Sequence, residues 1–177
     1  MQEGIISGGE AFNVPAGNQD FGSRYRFQPS VPYFHDGAFA GVSGDVAEIL
    51  PFAEEWLVRL LDVLPCKWEL EYIKDCVLNG SLLMPVFYSP GNESISGIGL
   101  VDVSATPSGD PVIMAVVYSF APVPLLHLSQ LCEIVAIESE SSAVAIWSTV
   151  ECKTVPGYTA SRAGFGFWQA MPTKPIQ

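Results

Sequence analysis

The sequence predicts an α+β domain: a mostly antiparallel sheet covered by two or three helices, with an irregular aromatic, Gly- and Pro-rich arm at its N-terminal side. Three observations lead there. Stretches beginning at Asp45 and Pro124 repeat apolar residues at the helical period of 3.6. Several short segments alternate apolar and polar residues, or are apolar throughout, and turn residues separate them. Helices and strands are mixed irregularly, with no alternating βαβ pattern and no internal repeat. At 177 residues and 49% hydrophobic content, the chain can bury a core without the help of metals or disulfides.

Residues 1–44 hold many of the glycines and Pro15, Pro29 and Pro32, yet also Phe12, Phe21, Tyr25, Phe27, Tyr33, Phe34 and Phe39. Disordered tails lack aromatics, so this stretch reads as an irregular arm, or short strands, packed on a single α+β domain spanning 45–177. Within it, Tyr25 and Phe27 alternate with Arg24 and Arg26, the pattern of an edge strand with solvated cations.

The first helix is expected from Asp45, with Glu48 completing a capping box and Pro51 tolerable only in the first turn. Phe52, Trp56, Leu57, Leu60, Leu61 and Leu64 supply its apolar face, Glu54, Glu55, Arg59 and Asp62 the other, and Pro65 stops it. From Cys66 to Val77 strand and helix patterns overlap, and Tyr72, Ile73, Cys76 and Val77 favour helix. The Asn79-Gly80 pair marks a turn.

Strands are expected over 82–88, 95–104 and 112–120. Pro85 demotes the first to a sheet edge or a bulge. The other two flank the turn-rich TPSGDP and form a hairpin, and the segment from Val112 is apolar on both faces, which places it centrally. A helix from Pro124 buries Leu125, Leu128, Leu131, Cys132 and Val135. Strands at 143–150 and over the segment SRAGFGFWQAMP complete the set.

The charge is lopsided: 19 acidic residues oppose 8 basic ones, a net charge of −11. Such a field repels phosphate backbones and anionic lipid and attracts a basic protein. Nucleic acid and membrane are therefore not expected as partners. The longest apolar run is interrupted by Pro122 and Pro124 well short of the ~20 residues of a membrane span. The opening MQEGIISGGEAF has neither a basic nor an apolar signal region, so a cytoplasmic location is expected. Cys66, Cys76, Cys132 and Cys152 show no CxxC spacing and read as reduced thiols.

Catalytic constellations are sparse. His35 lies beside Asp36, which a His-Asp base would require, but adjacency in sequence does not place the two rings and oxygens, and a locally bonded loop histidine is the simpler reading. His127 falls at the rim of a helix face, and Cys152 beside Lys153 lacks a nominated base. No HExxH, EF-hand, P-loop or dinucleotide fingerprint occurs, so no metal and no cofactor are expected.

The acidic helix face of Glu54, Glu55 and Asp62 suits the cationic cleft of a basic protein. In the last strand, Trp168 with Arg162 forms a candidate anchor, provided that side of the strand faces solvent. The order of elements, closing with ESSAVAIW, a turn and RAGFGFWQAMP, resembles the end of small acidic α+β immunity proteins of bacterial polymorphic toxin systems. The resemblance covers the last third and rests on Gly166-Phe167-Trp168 and Met171-Pro172. It implies an intracellular inhibitor that occludes a toxin without catalysis of its own. The expected function is therefore a non-enzymatic acidic protein that binds a basic effector or toxin, as a monomer or small homo-oligomer. The alternatives are a viral or phage capsid accessory protein, or an enzyme with an unrecognised site.

Overall fold

The computed structural model describes residues 25–28, 30–35, 38–64, 67–89, 94–119, 123–148, 155, 157–160 and 166–170. Residues 25–28 run along the domain without becoming a strand. The expected edge strand at Ser23–Phe27 is thus corrected for its described part, while Ser23 and Arg24 lie outside the described residues. The Phe27 amide donates to the Gly80 carbonyl (2.8 Å), and the Tyr25 and Phe27 rings meet edge to face at 5.0 Å while packing on the core.

Among the described residues, eight strands make one mixed sheet in the order β2-β1-β3-β4-β5-β6-β8-β7. They are β1 (Val31–His35), β2 (Ala38–Ser43), β3 (Val86–Tyr88), β4 (Ile95–Ala105), β5 (Pro111–Ser119), β6 (Ala143–Ser148), β7 (Thr159–Ala160) and β8 (Gly166–Ala170). Five of the seven pairings are antiparallel; β1 with β3 and β5 with β6 are parallel. Within the stretch 1–44 set apart by composition, β1 and β2 form an antiparallel hairpin at one edge of the sheet. The described helices that cover the faces are α1 (Val46–Val63), α2 (Leu70–Leu78) and α3 (Val123–Glu138).

Side-chain alternation along the strands divides the core into two layers. Ile98 and Leu100 of β4 with Val112, Met114 and Val116 of β5 pack under α1 and α2, against Leu50, Ala53, Leu57, Leu60 and Ile73. Their neighbours Val101, Val103, Ile113, Ala115 and Val117 face α3 through Leu125, Leu128, Cys132 and Val135. β5 is buried on both faces and sits between β4 and β6, the central place its composition predicts. The absence of a βαβ pattern expected from the sequence is corrected at one point: β5, α3 and the parallel β6 form such a unit.

α1 starts where the Ser43 hydroxyl oxygen accepts from the Asp45 amide (3.2 Å) and the Asp45 carbonyl takes the amides of Glu48 and Ile49. The expected capping box does not form, because Asp45 makes no side-chain cap bond. Pro51 lies in the second turn rather than the first, where it offers no N–H to the carbonyl four residues earlier. α2 ends in a Schellman motif: Gly80 is left-handed (φ 82°), its amide reaches the Val77 carbonyl, and the Ser81 amide reaches Cys76 (2.9 Å).

β3 corrects one half of the expectation drawn from Pro85. It is not an edge but short and interior, flanked by β1 and β4, while its register against β4 shifts between Phe87 and Tyr88, the irregularity that the other half allowed. Proline lacks a donor yet keeps its acceptor, and the Pro85 carbonyl receives the Gly99 amide (3.0 Å) while Leu83 exchanges both main-chain bonds with Val101. The last strand, β8, is interior as well, between β6 and β7.

Candidate functional site

The geometry of α1 selects its own outer stripe. At 100° per residue, Leu50, Ala53, Leu57, Leu60 and Leu64 share one side and are buried. Glu48, Phe52, Glu55, Arg59 and Asp62, spaced 4-3-4-3, line the opposite side. The expectation that Phe52 joins the buried face is therefore corrected: it lies about 140° around the helix from Leu57 and is 77% exposed. The signal was in the sequence, since the five aliphatic residues alone define a tighter stripe that excludes Phe52.

Around this ring the acidic residues gather. Glu54, a candidate from the sequence, is half-buried and bonded to Lys74 of α2 (Nζ to Oε2, 3.2 Å), which also reaches Glu71 (3.3 Å). The two carboxylates, Glu54 first, hold the Lys74 ammonium pKa above the usual lysine value. Glu54 is thus occupied in joining the two helices. Glu55 and Asp62, the other two helix candidates, are exposed on the Phe52 stripe. Glu55 pairs with Arg59 one turn on, and the Arg59 guanidinium lies 5.2 Å from the centre of the Trp56 ring. Trp56 in turn meets Tyr118 of β5 edge to face at 5.9 Å, so the outer stripe is tied to the sheet through these two rings.

Among the described residues of the α1–α2 layer, Glu48, Glu54, Glu55, Asp62, Glu69, Glu71 and Asp75 outnumber Arg59, Lys67 and Lys74. The layer therefore carries a negative surplus, with Phe52 as a bare aromatic ring inside it. Negative fields of this kind steer cationic surfaces, and an exposed aromatic supplies desolvation energy once contact is made.

The remaining candidates sit elsewhere. Trp168 is placed in β8 opposite Ala145 of β6 and Thr159 of β7, a strand flanked on both sides; Arg162 lies outside the described residues. His35 stacks on Tyr88 (4.7 Å, 9°) on the α1 side of the sheet, and His127 stacks on Phe34 (5.7 Å, 23°) on the α3 side. The sheet separates the two rings, so they cannot act on one substrate atom. Cys152 lies outside the described residues; Cys76 and Cys132 are buried. Among the described residues no group of three metal-ligating side chains converges, and no helix is long and apolar enough to cross a membrane.

Comparison of the chain with protein-family models, with characterised proteins and with solved structures finds no match.

Proposed function

We propose that the protein is a non-enzymatic binding protein whose α1–α2 face docks a basic protein partner, in the manner of an immunity protein occluding an effector or toxin. The observation that carries this reading is Phe52, 77% exposed on a stripe with Glu48, Glu55 and Asp62. A solvated helix face that served only solubility would gain nothing from a large ring in water. An interface gains an anchor that becomes desolvated at its centre, ringed by charges that orient the approach. Glu54 and Lys74 brace α1 against α2, so the two helices present one rigid surface.

Affinity purification of the full chain from its native host tests the proposal. One basic protein in stoichiometric amount is expected, with association slowed as salt screens the attraction. Phe52→Ala should weaken capture at least about tenfold, the size of a hot-spot loss, while leaving the thermal midpoint of this exposed position unchanged. Equal recovery by wild type and Phe52→Ala would refute the assignment of this face, and recovery of large assemblies would favour a structural role.

A further inference from the structure

The edge of the sheet farthest from β7 is built differently from the helical layer. β2 reads AFAGVS, and neither it nor β1 carries an Asp, Glu, Lys or Arg. Among the described residues no strand follows β2 on its outer side, so the main-chain donors and acceptors there have no described strand to pair with. Sheet edges in proteins are usually blunted by lysine, proline, an inward charge or a bulge. β2 has none of the first three, and its one irregularity is the register shift in its pairing with β1. A register shift opposite Tyr33 and Phe34 turns Phe39 and Val42 to the same side: Phe39 stands opposite Phe34 and Val42 opposite Pro32, both on the α3 face. Phe39 is 58% exposed and Val42 55%, on a face where α3, lying mainly over β4 to β6, reaches Phe34 of β1 through His127 and leaves these two β2 residues open.

We propose that this edge pairs with the β2 edge of a second copy, antiparallel about a two-fold axis, to give a continuous sheet of two molecules. Charge selects the occupant. Each molecule carries −11, and the acidic surplus of α1–α2 lies on the opposite face. A basic partner is drawn to that layer and gains nothing electrostatically at β2. A second acidic copy is repelled at every charged face and can approach only where charge is lacking. Antiparallel strand addition is also self-complementary: the axis brings Phe39 and Val42 of each copy together on one side, as cross-strand apolar contacts. Because the axis is perpendicular to the sheet, both acidic layers remain open.

Sedimentation velocity on the full chain tests this. A reversible dimer of twice the 19.1 kDa chain mass is expected at roughly 10–100 µM, the weak range suited to a small contact. It should strengthen with added salt, which screens the mutual repulsion. Val42→Glu places a carboxylate at the axis in both copies and should weaken dimerisation at least about tenfold, as like charges facing across an interface do. Val42→Thr, an uncharged β-former, should retain the dimer. Circular dichroism spectra and thermal midpoints matching wild type establish that both variants fold. Ile134→Glu, on the exposed side of α3, should leave the dimer intact. A monomer at all concentrations up to about 200 µM, or a dimer lost on Ile134→Glu and kept on Val42→Glu, overturns the proposal. The opposite salt dependence separates this contact from binding through α1–α2, since either can fail while the other stands.

Discussion

Two helices of this protein close with the same hydrogen-bond pattern and different residues at its tightest point. After α2 the left-handed position is Gly80; after α3 it is Glu140 (φ 55°), whose amide reaches Ile137 while the Ser141 amide reaches Ala136 (2.8 Å). Glycine takes this conformation freely, whereas a side chain there costs roughly 1–2 kcal/mol. A β-carbon at Gly80 would also collide with the Phe27 carbonyl oxygen, beside the bond that fastens residues 25–28 to the domain. Gly80→Ala should therefore lower unfolding free energy by more than about 1 kcal/mol. Glu140→Gly should raise it by about 0.5–1 kcal/mol, since it relieves backbone strain and removes a carboxylate from a helix C-terminus, less the entropy glycine gives the unfolded chain. Urea titrations of the two variants check both signs; a neutral result at Gly80 would contradict the contact with Phe27.

At the scale of elements, α1 separates stability from recognition on its two sides. Leu57 is fully buried against the sheet, and Leu57→Ala should cost about 2–5 kcal/mol through lost transfer energy and a residual cavity. The same truncation at Phe52 should leave the denaturation midpoint in place. A large loss at Phe52, or none at Leu57, would reverse the assigned orientation of the helix. The helices and the β4–β5 hairpin were legible in the sequence because their patterns are local: Leu57, Leu60 and Leu64 mark a period, and Thr106 to Asp110 mark a turn that Gly109 closes with a positive φ. Position in the sheet was not legible where it depends on distant pairing. Pro85 argues for an edge or a bulge; β3 is interior, because the bonds that Pro85 cannot donate are made by Leu83 and by the β3 residues after it, and the irregularity is the register shift between Phe87 and Tyr88. The candidate site was half legible. Glu55 and Asp62 are where the charge pattern puts them, Glu54 is taken up by Lys74 from a second helix, and Phe52 was masked by the aromatic spacing it shares with Trp56.

For the molecule as a whole, the α3 layer sets the response to alkali. Burial, with the Glu133 carboxylate nearby, pushes the Cys132 thiol pKa well above its usual value. Burial does the same to the Tyr158 phenol, helped by Cys132 and Glu133. Both groups bind their protons more tightly folded than unfolded, so stability is intact below the unfolded values of about 8.5 for cysteine and about 10 for tyrosine. It falls as pH rises beyond them. Urea midpoints should thus decline from about pH 8.5, and Cys132→Ala should delay the onset to about pH 10, where Tyr158 begins to contribute. An onset unmoved by Cys132→Ala would show that the thiol is not the sensitive group.

The place of β8 has a consequence for synthesis. β8 is the latest of the described strands, yet it lies between β6 and β7. While the polypeptide is emerging from the ribosome, the β6 segment AVAIWS can pair only with β5, and its other side stays open until Ala170 has cleared the exit tunnel. The antiparallel hairpin of β4 and β5 can form early, since its contacts are close in sequence. A chain stalled before Gly166 would therefore hold a nearly finished core with an uncharged, apolar strand exposed, the form that chaperones and quality-control proteases recognise.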